Sequence, residues 1–512
     1  MACAFKNPTS QPIHVSGSPV RVSSFLSFVL LSNLVVAQSS PTPGVTQNID
    51  TQAVTTTELV AWVAGGVSSS RLARLVGERG LATLPTNLEL RQLELAGAGK
   101  SLMNVLRLGN TFSAKIGPPI PAKLMKAAAE VRRQQFAEAE VDLREVVGSE
   151  GQKSALHFAL GVVYRQEEKW DEAFDELTRA TRLMPDFAEN HGALSYLFYR
   201  LDDGPNAIAE ARTALSIDPQ NSDAYQYLGL GLYSNYQYRA AVHAYAESLA
   251  RDPNNADTYY DMGIALHADE NMSGAIIAYE QAIHLRPAFW EAHSNLGLVL
   301  HEQGNLNQAV VEYREAKRIA PDEPSIRNNL GNTYCDQGNY DLAIEELHAL
   351  YSRHPEWQQG HACMASAYMA KKNYDAAVDE LRLALRQNPT GSNEHRILGQ
   401  VLMLDNKLDD AARELRLAIS LNPDSEVAHH LLGTVLFEQQ QLHAAETEFR
   451  EALRLNASAD NHYSLAACLM SLDRYQEALS ELESASRLDP ERTLYRARRE
   501  ELLKLMKETN GQ

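Results

Sequence analysis

Residues 290–323 read WEAHSNLGLVLHEQGNLNQAVVEYREAKRIAPDE, and this 34-residue stretch decides the fold. Its apolar residues recur at helical spacing in two segments, which predicts two amphipathic helices. Gly304-Asn305 between the segments is a turn signal, and Pro321 cannot continue the second helix. Each segment also holds a small residue, Gly297 or Ala309, where two closely crossing helices need room. The stretch therefore predicts a helical hairpin.

The same pattern repeats with a 34-residue period along most of the chain. If Pro321 is position 32 of its repeat, ten units cover residues 154–492, with starts at 154, 188, 222, 256, 290, 324, 358, 392, 426 and 459. Position 20 is alanine in every unit, and position 8 is always glycine, alanine or serine. Because one hairpin can bury its apolar faces only against its neighbours, the period predicts an all-α stack.

The motif residues of these units resemble those of the tetratricopeptide repeat. One unit matches the family pattern through Met262-Gly263, Ala275, Tyr279 and Pro287. A degenerate unit over 120–153 precedes the ten repeats, and residues 493–508 read as an amphipathic capping helix after them. The resemblance implies a right-handed superhelical α-solenoid of about eleven repeats.

Residues 55–112 precede the array and read as a separate, small helical module. Three short amphipathic segments in this region are punctuated by Gly65-Gly66, Gly80 and Gly97. The region resembles a compact helical module that precedes repeat arrays in some bacterial exported proteins. Gly117-Pro118-Pro119 separates it from the array.

Residues 1–37 carry the pattern of a secretory signal peptide. Their apolar core is shorter than the roughly 20 residues that a membrane span needs. Val35 and Ala37 are small residues placed for cleavage before Gln38, and residues 38–57 form a linker rich in Ser, Thr and Pro. We therefore expect an exported, periplasmic or extracellular protein with no stable membrane span in the mature chain. Retention of the segment as an uncleaved anchor is the alternative.

Composition and motifs argue against nucleic-acid binding and against catalysis. The chain has 47 Lys+Arg against 66 Asp+Glu, a net charge of −19, which disfavours binding to a phosphate backbone. The sequence GAGKS at 97–101 lacks the first glycine of a P-loop, because Glu94 stands in its place. His301-Glu302 lacks the second histidine of a zinc-protease helix. We expect no enzyme, no cofactor and no metal.

The cysteines predict no disulfide framework. Four cysteines in 512 residues are too few for one, and three lie beyond the signal segment: Cys335, Cys363 and Cys468. We interpret these three as thiols that are buried like small apolar residues.

Seven histidines share repeat position 4: His157, His191, His293, His361, His395, His429 and His462. Equivalent positions on neighbouring helices are about 8–10 Å apart, whereas nitrogens that bind one zinc ion lie about 2.0–2.1 Å from it. We therefore interpret the seven as half-buried packing residues and not as a metal site. Burial favours neutral imidazole, so folded-state pKa values below about 6.5, and lower stability in acid, are expected.

In tetratricopeptide repeats, positions 2, 5, 9, 12 and 13 of the first helix line a concave groove, so the resemblance implies a peptide-binding site there. The candidate residues are Tyr196, Tyr199, Tyr233, Tyr260, His267, His301, Asn328, Asn332, Met369, Met403 and Phe437. The four tyrosines are expected to form one continuous surface. Acids beside them favour a partner with Lys or Arg next to apolar anchors: Glu189, Asp223, Asp257, Asp261 and Glu291. The alternative is that these side chains pack mainly on each other.

The sequence thus predicts an exported, non-enzymatic scaffold that binds a protein or peptide segment in the concave groove. One alternative is an assembly factor that docks a cell-envelope or exopolysaccharide machine. Another is the regulatory arm of a glycosyltransferase-like system. No nucleic-acid partner is expected under any of the three.

Overall fold

The computed structural model describes residues 53–109, 118–150, 152–357 and 359–509. The expected signal peptide and most of the expected linker lie outside these residues. Within the described residues the chain forms 27 α-helices, and the one β-type pairing is an isolated bridge between Val54 and Leu81.

Four short helices come first: α1 (Thr56–Ala64), α2 (Ser69–Arg79), α3 (Asn87–Ala96) and α4 (Lys100–Gly109). The next eleven are α5 (Ala122–Arg132), α6 (Phe136–Glu150), α7 (Ser154–Gln166), α8 (Trp170–Leu183), α9 (Ala188–Arg200), α10 (Gly204–Ile217), α11 (Ser222–Ser234), α12 (Tyr238–Arg251), α13 (Ala256–Ala268), α14 (Met272–Leu285) and α15 (Trp290–Glu302). The remaining helices are α16 (Leu306–Ile319), α17 (Pro324–Asp336), α18 (Tyr340–Arg353), α19 (His361–Ala370), α20 (Tyr374–Gln387), α21 (Ser392–Leu404), α22 (Leu408–Leu421), α23 (Glu426–Glu438), α24 (Leu442–Leu455), α25 (Ala459–Ser471), α26 (Tyr475–Leu488) and α27 (Thr493–Thr509).

The described chain divides into an N-terminal unit, residues 53–295, and a C-terminal unit, residues 296–509. In the N-terminal unit, α5 to α14 pack as five consecutive hairpins, and α1 packs on α5 and α7. In the C-terminal unit, α17 to α26 pack as five further hairpins, and α27 packs on α26. Both units are all-α stacks of helical hairpins, as the sequence period predicts.

Most repeat starts read from the prolines coincide with the first residue of a helix. The first helix of a hairpin begins at 154, 188, 222, 256, 290, 324, 392, 426 and 459. The exception is α19, which begins at His361 after Gly360, a glycine in the left-handed region with φ of 98°.

The small residue at position 8 leaves room for a large side chain sixteen residues later in the same hairpin. A Cβ on Gly229 would lie 2.4 Å from the Tyr245 ring, and a Cβ on Gly263 would lie 2.6 Å from the Tyr279 ring. Both tyrosines are fully buried. In these two hairpins the helices therefore cross closely around one tyrosine ring.

The two helices of each hairpin are joined by a turn with one residue in the left-handed region. This residue is always position 15, and it has a φ of about 60° to 80° at Glu168, Asp202, Tyr236, Glu270, Gly304, Gly338, Lys372, Asn406, Gln440 and Asp473. Gln134 takes the same conformation between α5 and α6. The Gly-Asn turns predicted at 304 and 338 are thus confirmed, and the same backbone forms at eight repeats without glycine.

Candidate functional site

The first helices of the N-terminal hairpins, α7, α9, α11 and α13, carry five of the eleven candidate groove residues; we call the surface they form the groove face. Its clearest feature is a tyrosine cluster around Tyr196 of α9. The Tyr196 ring centroid lies 6.2 Å from that of Tyr199 and 5.8 Å from that of Tyr227. The Arg165 guanidinium lies 4.8 Å from the centre of the Tyr196 ring, which is cation–π distance. Tyr227 and Arg165 were not among the predicted residues.

The four predicted tyrosines differ in how much of the ring remains accessible. Tyr199 and Tyr260 are only 8% and 5% exposed. Tyr260 packs on Tyr279 and Phe289, with ring centroids 6.0 and 4.9 Å apart. Tyr196 and Tyr233 are half-buried. A bound segment would therefore meet Tyr196 and Tyr233, whereas Tyr199 and Tyr260 contribute mainly to the core.

The acids on this face are in unequal environments. Asp257 pairs with Arg286 at 2.6 Å, and it is exposed. Asp261 instead accepts a hydrogen bond of 2.9 Å from the Gln226 side chain and has no cationic partner among the described residues. Burial raises the pKa of Asp261 to about 7, although the hydrogen bond from Gln226 favours the ionised form. Asp261 is therefore a carboxylate that lacks a counter-charge.

The remaining candidates are divided between the units. His267 is buried in the N-terminal unit. In the C-terminal unit Asn328 is buried and five others are half-buried: His301, Asn332, Met369, Met403 and Phe437. The three apolar members of that group pack against the core cluster of the last hairpins. His301 Nε2 lies 2.7 Å from an Asp336 carboxylate oxygen.

The position-4 histidines have a partner that the sequence interpretation missed. In six of the seven, Nδ1 contacts a glutamate nineteen residues later in the same hairpin: His157–Glu176 (2.5 Å), His191–Glu210 (2.6 Å), His361–Glu380 (2.8 Å), His395–Glu414 (2.7 Å), His429–Glu448 (2.7 Å) and His462–Glu481 (2.5 Å). In several repeats Nε2 also faces the carbonyl oxygen of the preceding position-32 proline, at 2.9 Å for His191 and 3.0 Å for His429. Six of the seven are buried and His462 is half-buried, so they are more buried than expected, and they form hydrogen bonds as well as packing contacts.

The expected fall in histidine pKa is wrong for His191. Burial alone would lower its pKa, but the hydrogen bonds to Glu210 and to the Pro185 carbonyl outweigh burial and raise the pKa above its usual value. The cause is visible in the geometry, because both ring nitrogens face acceptors. Only the protonated imidazole can donate from both nitrogens.

We expect the His191–Glu210 pair to stabilise the fold at mildly acidic pH. A histidine whose pKa is raised in the folded state contributes to the free energy of unfolding. This contribution is fully present below the unfolded-state pKa of about 6.5, and it is lost as the pH rises through the folded-state pKa. Thermal unfolding of the wild type and of Glu210→Gln should therefore differ most at pH 6 and converge toward pH 8.5. A difference that grows with rising pH would contradict the assignment.

The sequence contains the signal for these pairs. Position 23 is glutamate wherever position 4 is histidine, and Arg327 at position 4 also meets Glu346, at 2.9 Å. The two repeats with tyrosine at position 4, Tyr225 and Tyr259, carry alanine at position 23. A comparison of the two positions across repeats would have predicted the contact.

The cysteine interpretation needs a correction. Cys335 of α17 and Cys363 of α19 form a disulfide, and they are not free thiols. Cys468 alone fits the interpretation: it is a buried thiol, and burial raises its pKa to about 11. Because Cys335 is position 12 and Cys363 is position 6 of the next repeat, both lie on first helices that pack together.

No group of three or more His, Cys, Asp or Glu side chains within the described residues could hold a metal ion. In the same part of the chain, no helix combines the length and apolar character that a membrane crossing requires.

Family profiles match several parts of the chain. A profile described as TPR repeat matches residues 270–304 and 298–338, and one described as tetratricopeptide repeat matches 124–186, 328–392 and 364–426. A profile described as anaphase-promoting complex, cyclosome, subunit 3 matches 405–485. The chain thus contains tetratricopeptide repeats, a class of helical hairpins that serves as a scaffold for protein interactions.

The chain is similar to several solved structures at low identity and low TM-score. Yeast Tom70 is 15% identical over 75% of this chain and 94% of its own, with a TM-score of 0.36. A tetratricopeptide repeat protein from Parabacteroides merdae is 17% identical over 49% of this chain and 98% of its own, with a TM-score of 0.40. YrrB, a TPR protein with an unusual peptide-binding site, is 23% identical over 38% of this chain and 97% of its own, with a TM-score of 0.32. A comparison with curated proteins found no match.

Proposed function

We propose that this protein is an exported, non-enzymatic scaffold that binds a protein or peptide segment along the groove face. One observation carries the proposal: half-buried tyrosines lie on the same set of helices as a half-buried carboxylate, Asp261, without a counter-charge among the described residues. Helix α11 places Tyr227 against Tyr196, and its preceding residue, Gln226, donates to Asp261. A surface of rings and polar groups on rigid helices suits the anchoring of a partner segment.

The charge of Asp261 indicates the chemistry of the partner. A desolvated carboxylate whose side-chain partner is an amide is stabilised when a cation approaches it. The segment should therefore carry lysine or arginine beside apolar or aromatic anchors, and an acidic segment should be disfavoured. Binding should also strengthen as the pH rises through about 7, where Asp261 ionises.

Export rests on the N-terminal sequence pattern, and the Cys335–Cys363 disulfide supports it. Disulfides persist in oxidising compartments and are rare in the reducing cytosol. The cell-envelope assembly role and the glycosyltransferase-linked role remain alternatives within the same scaffold proposal.

Truncating the accessible tyrosines should weaken partner binding without unfolding the chain. Tyr196→Ala combined with Tyr233→Ala should cost about 2 kcal/mol or more of binding free energy, roughly 30-fold in affinity, if these rings are interface hot spots. The measurement is affinity purification of the exported protein with quantitative mass spectrometry, followed by titration of the recovered partner. Tyr199 is unsuitable for this test because it is buried.

Tyr236→Ala is the matched control. Tyr236 is 80% exposed and lies in the turn between α11 and α12, at position 15, which is not a groove position, and its ring packs on Tyr238. The Tyr236→Ala variant should bind the partner with the affinity of the wild type. If the double variant keeps the partner at full affinity, the groove face does not bind it.

A further inference from the structure

Helices α1 and α2 pack directly on the groove face of the N-terminal unit. Trp62 of α1 lies against Phe187, with ring centroids 4.8 Å apart. Arg71 of α2 donates to Glu189 at 2.9 Å, and Arg79 pairs with Asp186 at 2.8 Å. The module is therefore part of the same unit as the first repeats, and it covers one end of their groove face.

A cavity of about 370 Å³ remains where the end of α1 approaches the first helices of three repeats. Its apolar wall includes Gly65, Phe136, Phe158, Val162, Gly192 and Tyr227. Gly192 keeps the space open, because a Cβ there would lie 3.3 Å from the Tyr227 ring. The volume lies within the range of small-ligand pockets, about 300–1,000 Å³.

One polar group in this wall has an unmet hydrogen-bonding requirement. The Glu189 side chain is only 10% exposed, and its Oε1 accepts from Arg71 at 2.9 Å and from the Asn221 amide at 3.3 Å. Its Oε2 is buried and has no hydrogen-bond partner among the described residues. Burial also raises the pKa of Glu189, although Arg71 opposes this rise. A buried carboxylate oxygen without a donor is costly, so the site favours a ligand that supplies one.

The other charged residues of the lining are one more carboxylate, Asp223, and two arginines, Arg132 and Arg165. Asp223 is exposed, lines the cavity and forms no side-chain hydrogen bond among the described residues. Both arginines are engaged elsewhere: Arg132 donates to the Leu95 carbonyl oxygen at 2.6 Å, and the Arg165 guanidinium lies over the Tyr196 ring. A cation that enters the cavity therefore meets two carboxylates, Glu189 and Asp223, and Glu189 is the more buried of the two.

We propose that this cavity receives a lysine side chain of the bound segment, a conclusion that rests on the proposed peptide-binding function. The ammonium group would donate to Glu189 Oε2, and the aliphatic stem would lie along Phe158 and Val162. An ammonium suits a single free oxygen because it is compact and has three donors, whereas a guanidinium prefers a carboxylate with both oxygens available. Glu189 Oε1 is already engaged by Arg71. The end of α1 and the turn after it thus form one wall of a specificity pocket whose other walls come from the hairpins.

The test uses three short peptides and the full mature chain. Ac-Leu-Lys-Leu-NH2, its norleucine counterpart and its arginine counterpart are titrated by calorimetry at millimolar concentration. The lysine peptide should bind about 10-fold more tightly than the norleucine peptide, because a hydrogen bond to a charged group is lost in the latter. It should also bind more tightly than the arginine peptide.

Glu189→Gln should abolish the preference for lysine over norleucine. Asp186→Asn, which removes the ion pair with Arg79 in the same interface but outside the cavity, should keep it. Asp223→Asn should reduce the preference for lysine over norleucine. Because Asp223 forms no side-chain hydrogen bond among the described residues, this variant loses none, and it tests the site if the Glu189→Gln variant does not fold. Equal affinities for the lysine and norleucine peptides, no binding of either, or an unchanged preference in both cavity variants would overturn the proposal. The groove proposal is judged separately, by the response of the natural partner to Tyr196→Ala and Tyr233→Ala.

Discussion

Replacing Gly229 with alanine should destabilise the N-terminal unit by about 2 kcal/mol, although alanine is the better helix former by about 1 kcal/mol. The added methyl group would lie 2.4 Å from Cε1 and 2.6 Å from Cδ1 of Tyr245. The Tyr245 ring is fully buried, so it cannot move aside without disturbing the neighbouring hairpins. Thermal unfolding, with hydrogen exchange resolved to α11 and α12, measures the effect at its site.

Gly77→Ala is the matched control, because Gly77 is also helical and has no atoms within 4 Å of an added Cβ. It should stabilise the unit by about 0.5–1 kcal/mol through helix propensity alone. A second change should rescue the first: repeats with alanine at position 8, at Ala365 and Ala466, carry leucine at position 24. Tyr245→Leu should therefore restore part of the stability in the Gly229→Ala background. The packing argument fails if the two single variants shift stability in the same direction.

Reducing the Cys335–Cys363 disulfide should lower the free energy of unfolding of the C-terminal unit by about 3 kcal/mol. The bond closes a loop with a sequence separation of 28 residues, and loop closure of this size restricts the unfolded chain by about that amount. Both cysteines are half-buried, so a reductant can reach them. Thermal unfolding with and without dithiothreitol gives the difference.

A Cys468→Ala variant should respond to the reductant as the wild type does, because Cys468 is a free, buried thiol. Alkylation of denatured, unreduced protein should label Cys468 and leave Cys335 and Cys363 unlabelled. Labelling of all three would show that the native protein lacks the bond, and it would remove one support for export.

The fold of the array could be predicted from the sequence because one period sets the helices of the ten repeats. A proline follows the second helix at position 32 of every repeat except the one with Ala457, and the small residue at position 8 fixes where two helices cross, as the Gly229–Tyr245 contact shows. Both signals are local, and all repeats but that one supply both. The start of α19 deviates because Gly360 takes a left-handed conformation that the period does not specify.

The candidate site was harder to predict because it depends on contacts between repeats. Family positions placed Tyr199 and Tyr260 on the groove face. The exposure of such a ring also depends on its neighbours, as Tyr260 shows by packing on Phe289, and a position number carries no information about those neighbours. The disulfide joins two cysteines at different repeat positions on neighbouring first helices, and their spacing of 28 residues in the sequence does not show that they are close together. The Glu189 cavity depends on α1 and α2, which lie outside the repeat pattern.

The histidine–glutamate contact also constrains how such an array can have grown. Both partners lie within one 34-residue unit, so a gene duplication that copies a unit from proline to proline inherits the pair intact. A genetic crossover in the turn between the two helices would instead join His191 to the alanine of a tyrosine-type repeat, or Tyr225 to a glutamate. The first product would bury an imidazole without its carboxylate, and the second would bury a carboxylate beside a phenol ring. A crossover at the prolines therefore always preserves the pair, whereas a crossover in a turn preserves it only between two repeats of the same type.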